Sequence, residues 1–214
     1  MNMMTMNILY IENIITKMEV FMTEKFLTNN YNHIFYSVIG NHAGETVEEI
    51  IERKENEITE CKYSLWSAKI DKKSIEQVWK LDENDKVYVL CKINKAAKDP
   101  VKATIVPYYA KKAYGPDKQE LTIPDGIKTS FTEGKNYQAY VVKHYELLES
   151  PIAFDFGKYE SLLANNLHMS FKNRFKCNQF QNTYGHLNKQ LEEREEKEIK
   201  LIMELKYPFV VNLE

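Results

Sequence analysis

The sequence predicts an α+β fold: a small curved mixed sheet or partly closed β-barrel flanked by helices, with a C-terminal helical extension. Three observations carry this. The periodicities run strand, helix, short helix, several strands, then helices, which is the order of an α+β chain and not of an alternating parallel sheet. The run Lys86 to Ile93 sets Val87, Val89, Cys91 and Ile93 on one face and Tyr88 and Leu90 on the other, so both faces are largely apolar, as suits a central strand. A chain of 214 residues with 43% hydrophobic side chains can also fill a substantial core. The expected organisation is a flexible N-terminal extension over 1–30, the α+β domain over 31–150, and a helical extension over 151–214 packing on that domain.

Along the chain, the apolar patch Ile8 to Ile11 is interrupted by Glu12 and Lys17, well short of the roughly 20 residues of a membrane span, and it has the marks of no secretory leader. His33 to Ile39 is β-branched and aromatic, and Gly40 and Asn41 close it as a first strand. Thr46 with Glu49 forms a capping box. Val47, Ile50, Ile51 and Ile58 then share one helical face, with Glu48, Glu52, Lys54 and Glu55 opposite, which predicts a helix from Val47 to Glu60. Tyr63 to Lys69 reads as a turn that holds Trp66. Ser74, Ile75, Val78 and Trp79 follow as a short helix, and Asp82 to Asp85 turns into the central strand.

Lys102 to Tyr109 is strand-like, with Pro107 placing its end at an edge or bulge. Residues 110–134 form a looped excursion with brief strand candidates at Glu120 to Ile123 and Lys128 to Thr132. Tyr137 to Leu148 is the longest strand candidate, ended by Pro151. Beyond it, Tyr159, Leu162, Leu163 and Leu167 predict a helix over Lys158 to Met169. Leu191 to Leu205 reads as a charged helix, and Tyr207 to Leu213 as a closing strand.

Charged residues make up 28% of the chain at a net charge of -2, so any binding of nucleic acid or anionic lipid has to come from a local patch. Cys61, Cys91 and Cys177 are odd in number and lack C-x-x-C spacing, which argues against a disulfide framework or structural zinc and fits a reducing cytoplasm. His33, His42, His144, His168 and His186 show no local metal-ligand spacing either, so neither a metal nor another cofactor is expected.

The succession of opening strand, amphipathic helix, Lys62-Tyr63-Ser64-Leu65-Trp66-Ser67, short helix and Val87-Tyr88-Val89-Leu90-Cys91-Lys92-Ile93-Asn94 resembles the PUA-like superfamily, which includes the YTH, EVE and ASCH domains. The pattern is most similar to the YTH domain, over Asn32 to Leu148. That resemblance implies a partly open PUA-like barrel in which Trp66 forms one wall of an aromatic cage around a methylated adenine. With two tryptophans in the chain, further walls fall to Tyr108, Tyr109 or Tyr114.

The residues themselves support a ligand site around Trp66, Ser64, Ser67, Tyr108 and Tyr109. An indole stacks on a base, and serine hydroxyls can donate to a base edge, although large aromatics also pack over sheet edges and serines in turns bond local backbone. Phe171 to Lys189 interleaves Lys172, Arg174, Lys176 and Lys189 with Phe171, Phe175, Phe180 and Tyr184. This is a composition for holding a single-stranded backbone, or for an ordinary element with rings inward and lysines in water. The expectation is non-catalytic binding of RNA or DNA, with or without a modified base, and no membrane contact. One rival is an ASCH-like enzyme acting on a nucleoside, with His42, Glu45, Lys69 or His144 beside Trp66. The other is a protein-binding module, a homodimer through the C-terminal helix.

Overall fold

The computed structural model describes residues 31–42, 44–94, 109–129 and 137–214, and the chain divides into two compact units, 1–31 and 32–214. The expected N-terminal extension over 1–30 and most of the expected strand from Lys102 lie outside the described residues. The larger unit is a mixed α/β structure dominated by one large open sheet, with three helices among the described residues. None of these helices is long and apolar enough to cross a membrane.

Strand β1 (His33–Ile39) leads through a short loop into α1 (Val47–Cys61), whose N-terminus carries the expected capping box between Thr46 and Glu49. Strand β2 (Ser64–Ala68) follows, then α2 (Lys72–Val78), capped by the Asp71 carboxylate, and β3 (Val87–Ile93). Short strands β4 (Ala113–Tyr114) and β5 (Glu120–Leu121) form a small hairpin. The second half contains β6 (Tyr137–Asp155), β7 (Tyr159–Leu162), β8 (His168–Ser170), α3 (Phe171–Lys176), β9 (Thr183–Leu187) and β10 (Glu196–Leu213).

The sheet order is β2-β6-β10-β3-β1-β9-β7-β8, with β4 added along the end of β10. Among the described residues only β1 and β3 run parallel, as the two ends of the α1-β2-α2 crossover; the other pairs are antiparallel. Val87, Val89 and Cys91 are buried with Phe35, Val47, Ile51, Ile75 and Val78, so β3 is the central strand its two apolar faces demanded.

Four expectations fail for identifiable reasons. The helix expected over Leu191 to Leu205, and with it the helical C-terminal extension, is replaced by β10, which lies between β6 and β3. Its Glu and Lys residues favour helices locally, but the two neighbours pair its backbone, and Leu201, Met203 and Leu205 are buried in one core with Phe35, Val47, Ile51, Ile75 and Val78, so tertiary burial overrides propensity. The dimerisation helix of the second rival is therefore not formed. The helix expected over Lys158 to Met169 is the β7–β8 hairpin, turned at Asn166, which takes a φ of 62°. Strand β6 passes straight through Pro151, because the ladder to β10 slips between Ile199 and Leu201, where a missing N–H costs nothing. Finally, Trp66 sits on edge strand β2 and not in a turn.

A second aromatic layer joins the last third of the chain to β1. Tyr36 meets the rings of Phe156, Phe175 and Phe180 at 5.2 to 5.3 Å, and Phe171 packs on Phe156 and Tyr159. Gly185 on β9 lies directly under Phe171: a Cβ there would stand 2.5 Å from the ring. The three cysteines are free, with Cys91 buried, Cys61 half-buried and Cys177 exposed.

Candidate functional site: a cavity walled by Trp66

A cavity of about 530 Å3 opens where the end of β1, the loop to α1, one face of α1 and strand β2 converge. Its volume is in the range of pockets that take small organic ligands. Trp66 and Ser67 come from β2, Arg53 and Lys54 from α1, His42 and Glu45 from the loop, and Gln181 and Asn182 from the turn before β9. Tyr109, 48% exposed, and the Lys128–Thr129 segment complete the lining.

Trp66 is half-buried. Its ring leans on Tyr145 at 6.0 Å and 52°, so it packs on the core and lines the cavity at once. That fixes the indole plane, the condition for stacking a flat ligand with little loss of rotamer freedom. Asn182 is held in a left-handed conformation at φ 53°, with its N–H donated to the Tyr36 carbonyl (2.7 Å) and its Oδ1 accepting from the Tyr140 hydroxyl (3.2 Å). A primary amide so anchored keeps its N–H2 donors as remaining capacity.

The polar floor is an ion network. Arg53 donates to both oxygens of Glu45 (2.8 and 2.7 Å) and to Glu57 (3.2 Å). Lys54 donates to the other oxygen of Glu57 at 2.8 Å and to the Lys128 carbonyl, and the Lys128 N–H donates back to Glu57 at 3.1 Å. Lys54 and Glu57 are each 4% exposed. Burial pushes the Lys54 ammonium down from 10.5 to about 8, against the opposing pull of Glu57. The hydrogen bond from Arg53 holds the Glu45 carboxyl below its usual range. The loop itself is closed by reciprocal His42–Glu45 backbone hydrogen bonds, with Gly44 at φ +88°, a conformation that favours glycine.

The structure brings together Trp66, Ser67 and Tyr109 of the expected ligand set, and His42 and Glu45 of the residues named for the rival enzyme reading. Ser67 is engaged with the Thr129 hydroxyl. Ser64 is fully buried and bonded to the Tyr145 hydroxyl at 2.8 Å, so its hydroxyl serves the core. Tyr108 lies outside the described residues. Lys69 and His144 are exposed and do not line the cavity.

In the basic aromatic tract, the rings of Phe171 and Phe175 are buried, and Lys176 and Lys189 face solvent while Lys172 is half-buried. Arg174 is 4% exposed and bonded to Ser161 Oγ (2.6 Å) and to the carbonyls of Gln179 (2.9 Å) and Leu162 (3.1 Å), which ties α3 to β7. Its guanidinium is an internal fastener.

Sequence reasoning missed Arg53, Thr129, Gln181 and Asn182, and it placed Lys54 on the solvent face of α1. One signal was present: Arg53 and Lys54 stand four and three residues before Glu57, the helical spacings at which opposite charges meet. In comparison with known proteins, no family model, no curated protein and no solved structure matches the chain.

Proposed function

We propose that the protein is a non-catalytic binder of RNA or DNA that takes a single base, modified or plain, into the Trp66 cavity, and that its core is PUA-like. The observation that carries this reading is the fixed indole of Trp66 on the wall of a cavity of about 530 Å3 whose other lining includes an anchored primary amide, Asn182. A planar heterocycle with donors and acceptors on its edge is the ligand class that uses both a stacking wall and fixed hydrogen-bonding groups. The PUA-like assignment is supported by the order β1, α1, Trp66-bearing β2, α2, β3 and by the parallel β1–β3 pair.

Fluorescence anisotropy of labelled single-stranded RNA and DNA, plain and base-methylated, tests the proposal at low and moderate salt. Binding is expected to weaken by about 1 to 3 kcal/mol in Trp66→Ala, the worth of one stacked base, and to recover in large part in Trp66→Phe. No binding of any oligonucleotide at low salt overturns it. A second reading, an ASCH-like enzyme acting on a nucleoside, draws on one observation: His42, Glu45 and Lys54 share the cavity, and Lys54 lies near neutrality. Turnover of free nucleosides, followed chromatographically, would favour it.

A further inference from the structure

Away from the cavity, three strands bring two histidines and a glutamate to one spot. Glu160 on β7 stands directly opposite His186 on β9, so the two side chains share a face. Leu162, two residues along β7 and therefore on that same face, stands opposite His168 on β8. One ligand atom from each of Glu160, His168 and His186 lies within 4.8 Å of the other two. His168 Nδ1 is 2.5 Å from Glu160 Oε1, while Asn188 Nδ2 donates to Glu160 Oε2 at 2.6 Å. The carboxylate is thus oriented from behind, with its other oxygen turned to the imidazoles, as outer hydrogen bonds orient metal ligands.

We propose that Glu160, His168 and His186 bind one divalent transition-metal ion of the zinc class. Two imidazole nitrogens and one carboxylate oxygen suit zinc, cobalt(II) or iron(II) in preference to calcium or magnesium, which call for oxygen ligands. Metal–ligand bonds of about 2.0 to 2.2 Å put tetrahedral ligand atoms about 3.3 to 3.6 Å apart. The 2.5 Å contact has to open by about 1 Å, which the exposed His168 side chain permits by a change of rotamer. Three protein ligands leave a further position for water or an anion. The ion replaces the His168–Glu160 hydrogen bond and clamps strand β8, which among the described residues pairs with β7 alone, across β7 to β9.

The test uses the full chain, tag-free and stripped of metal. Cobalt(II) is titrated and followed by its visible absorption, then displaced with zinc, and bound metal is counted by elemental analysis. The expected result is one ion per chain, with affinity falling at least about tenfold in His168→Ala and in Glu160→Gln and unchanged in His144→Ala, an exposed histidine on β6. His168 is exposed, so its variant should unfold at the wild-type temperature when metal-free, and zinc should raise the transition of wild type alone. The proposal is overturned if no cobalt band develops at micromolar protein, or if His168→Ala and Glu160→Gln bind the metal as wild type does.

Discussion

Lys54→Met isolates the buried ion network beneath the cavity. In the folded chain the Lys54 ammonium titrates at about 8, against 10.5 when exposed. Between those values the unfolded chain holds a proton that the folded chain has released, so this group makes stability rise as pH rises. Below pH 8 both states are protonated and the cost of burying the charge is carried in full. At about 1.4 kcal/mol for each tenfold change in proton affinity, the rise from pH 7 to 10 amounts to about 2 to 3 kcal/mol. Methionine keeps the length and apolar stem of lysine without the charge. Urea unfolding of both proteins should give a stability difference, wild type minus variant, that shifts in favour of wild type by this amount between pH 7 and 10. Taking the difference cancels the buried tyrosines, among them Tyr140 and Tyr145, which burial pushes up and which act in the opposite direction. With a urea dependence of about 2 kcal/mol per molar, the midpoints should separate by roughly 1 M over that range. A difference that stays flat from pH 7 to 10 would refute a buried, charged Lys54.

Gly185→Ala should lower stability by about 1 to 3 kcal/mol in thermal unfolding, since its Cβ would stand 2.5 Å from Phe171 Cε2; an unchanged melting temperature would contradict the packing of β9 on α3. Arg174→Met removes a buried cation with three internal hydrogen bonds and should cost about 2 to 4 kcal/mol, whereas Lys176→Ala and Lys189→Ala, at exposed positions, should each stay within about 0.5 kcal/mol. Equal effects at all three positions would show that Arg174 is not the fastener described. Thr46→Ala breaks the capping box at the N-terminus of α1 and should cost about 1 kcal/mol by denaturant titration, and Thr46→Ser should restore most of it.

What could be read from the sequence was what is decided locally. The capping box at Thr46 and Glu49 placed the start of α1, turn residues Gly40 and Asn41 closed β1, and the doubly apolar run from Val87 marked the centre of the sheet. Trp66 stands out in the sequence as an indole between Ser64 and Ser67, and it lines the cavity. The remainder depends on partners distant in sequence. Glu196 to Leu205 has the composition of a helix and becomes a strand because β6 pairs it along one edge, β3 pairs Leu201 to Glu204 along the other, and Ile199, Leu201, Met203 and Leu205 are buried. Asn182 reaches the cavity only because its backbone is tied to Tyr36 and Asp71, some 146 and 111 residues away. Glu160, His168 and His186 have no spacing characteristic of a metal site, and they meet through strand pairing alone.

The central claim, that a base enters the cavity and stacks on Trp66, is most directly measured in Trp79→Phe. This variant removes the other tryptophan, whose indole N–H donates to the Val210 carbonyl, and leaves Trp66 as the sole indole emitter. Titration with single-stranded RNA and DNA, plain and base-methylated, should quench Trp66 saturably, with a midpoint equal to that of oligonucleotide binding measured in parallel. Oligonucleotide binding that leaves the Trp66 emission unchanged would place the ligand elsewhere and contradict the claim.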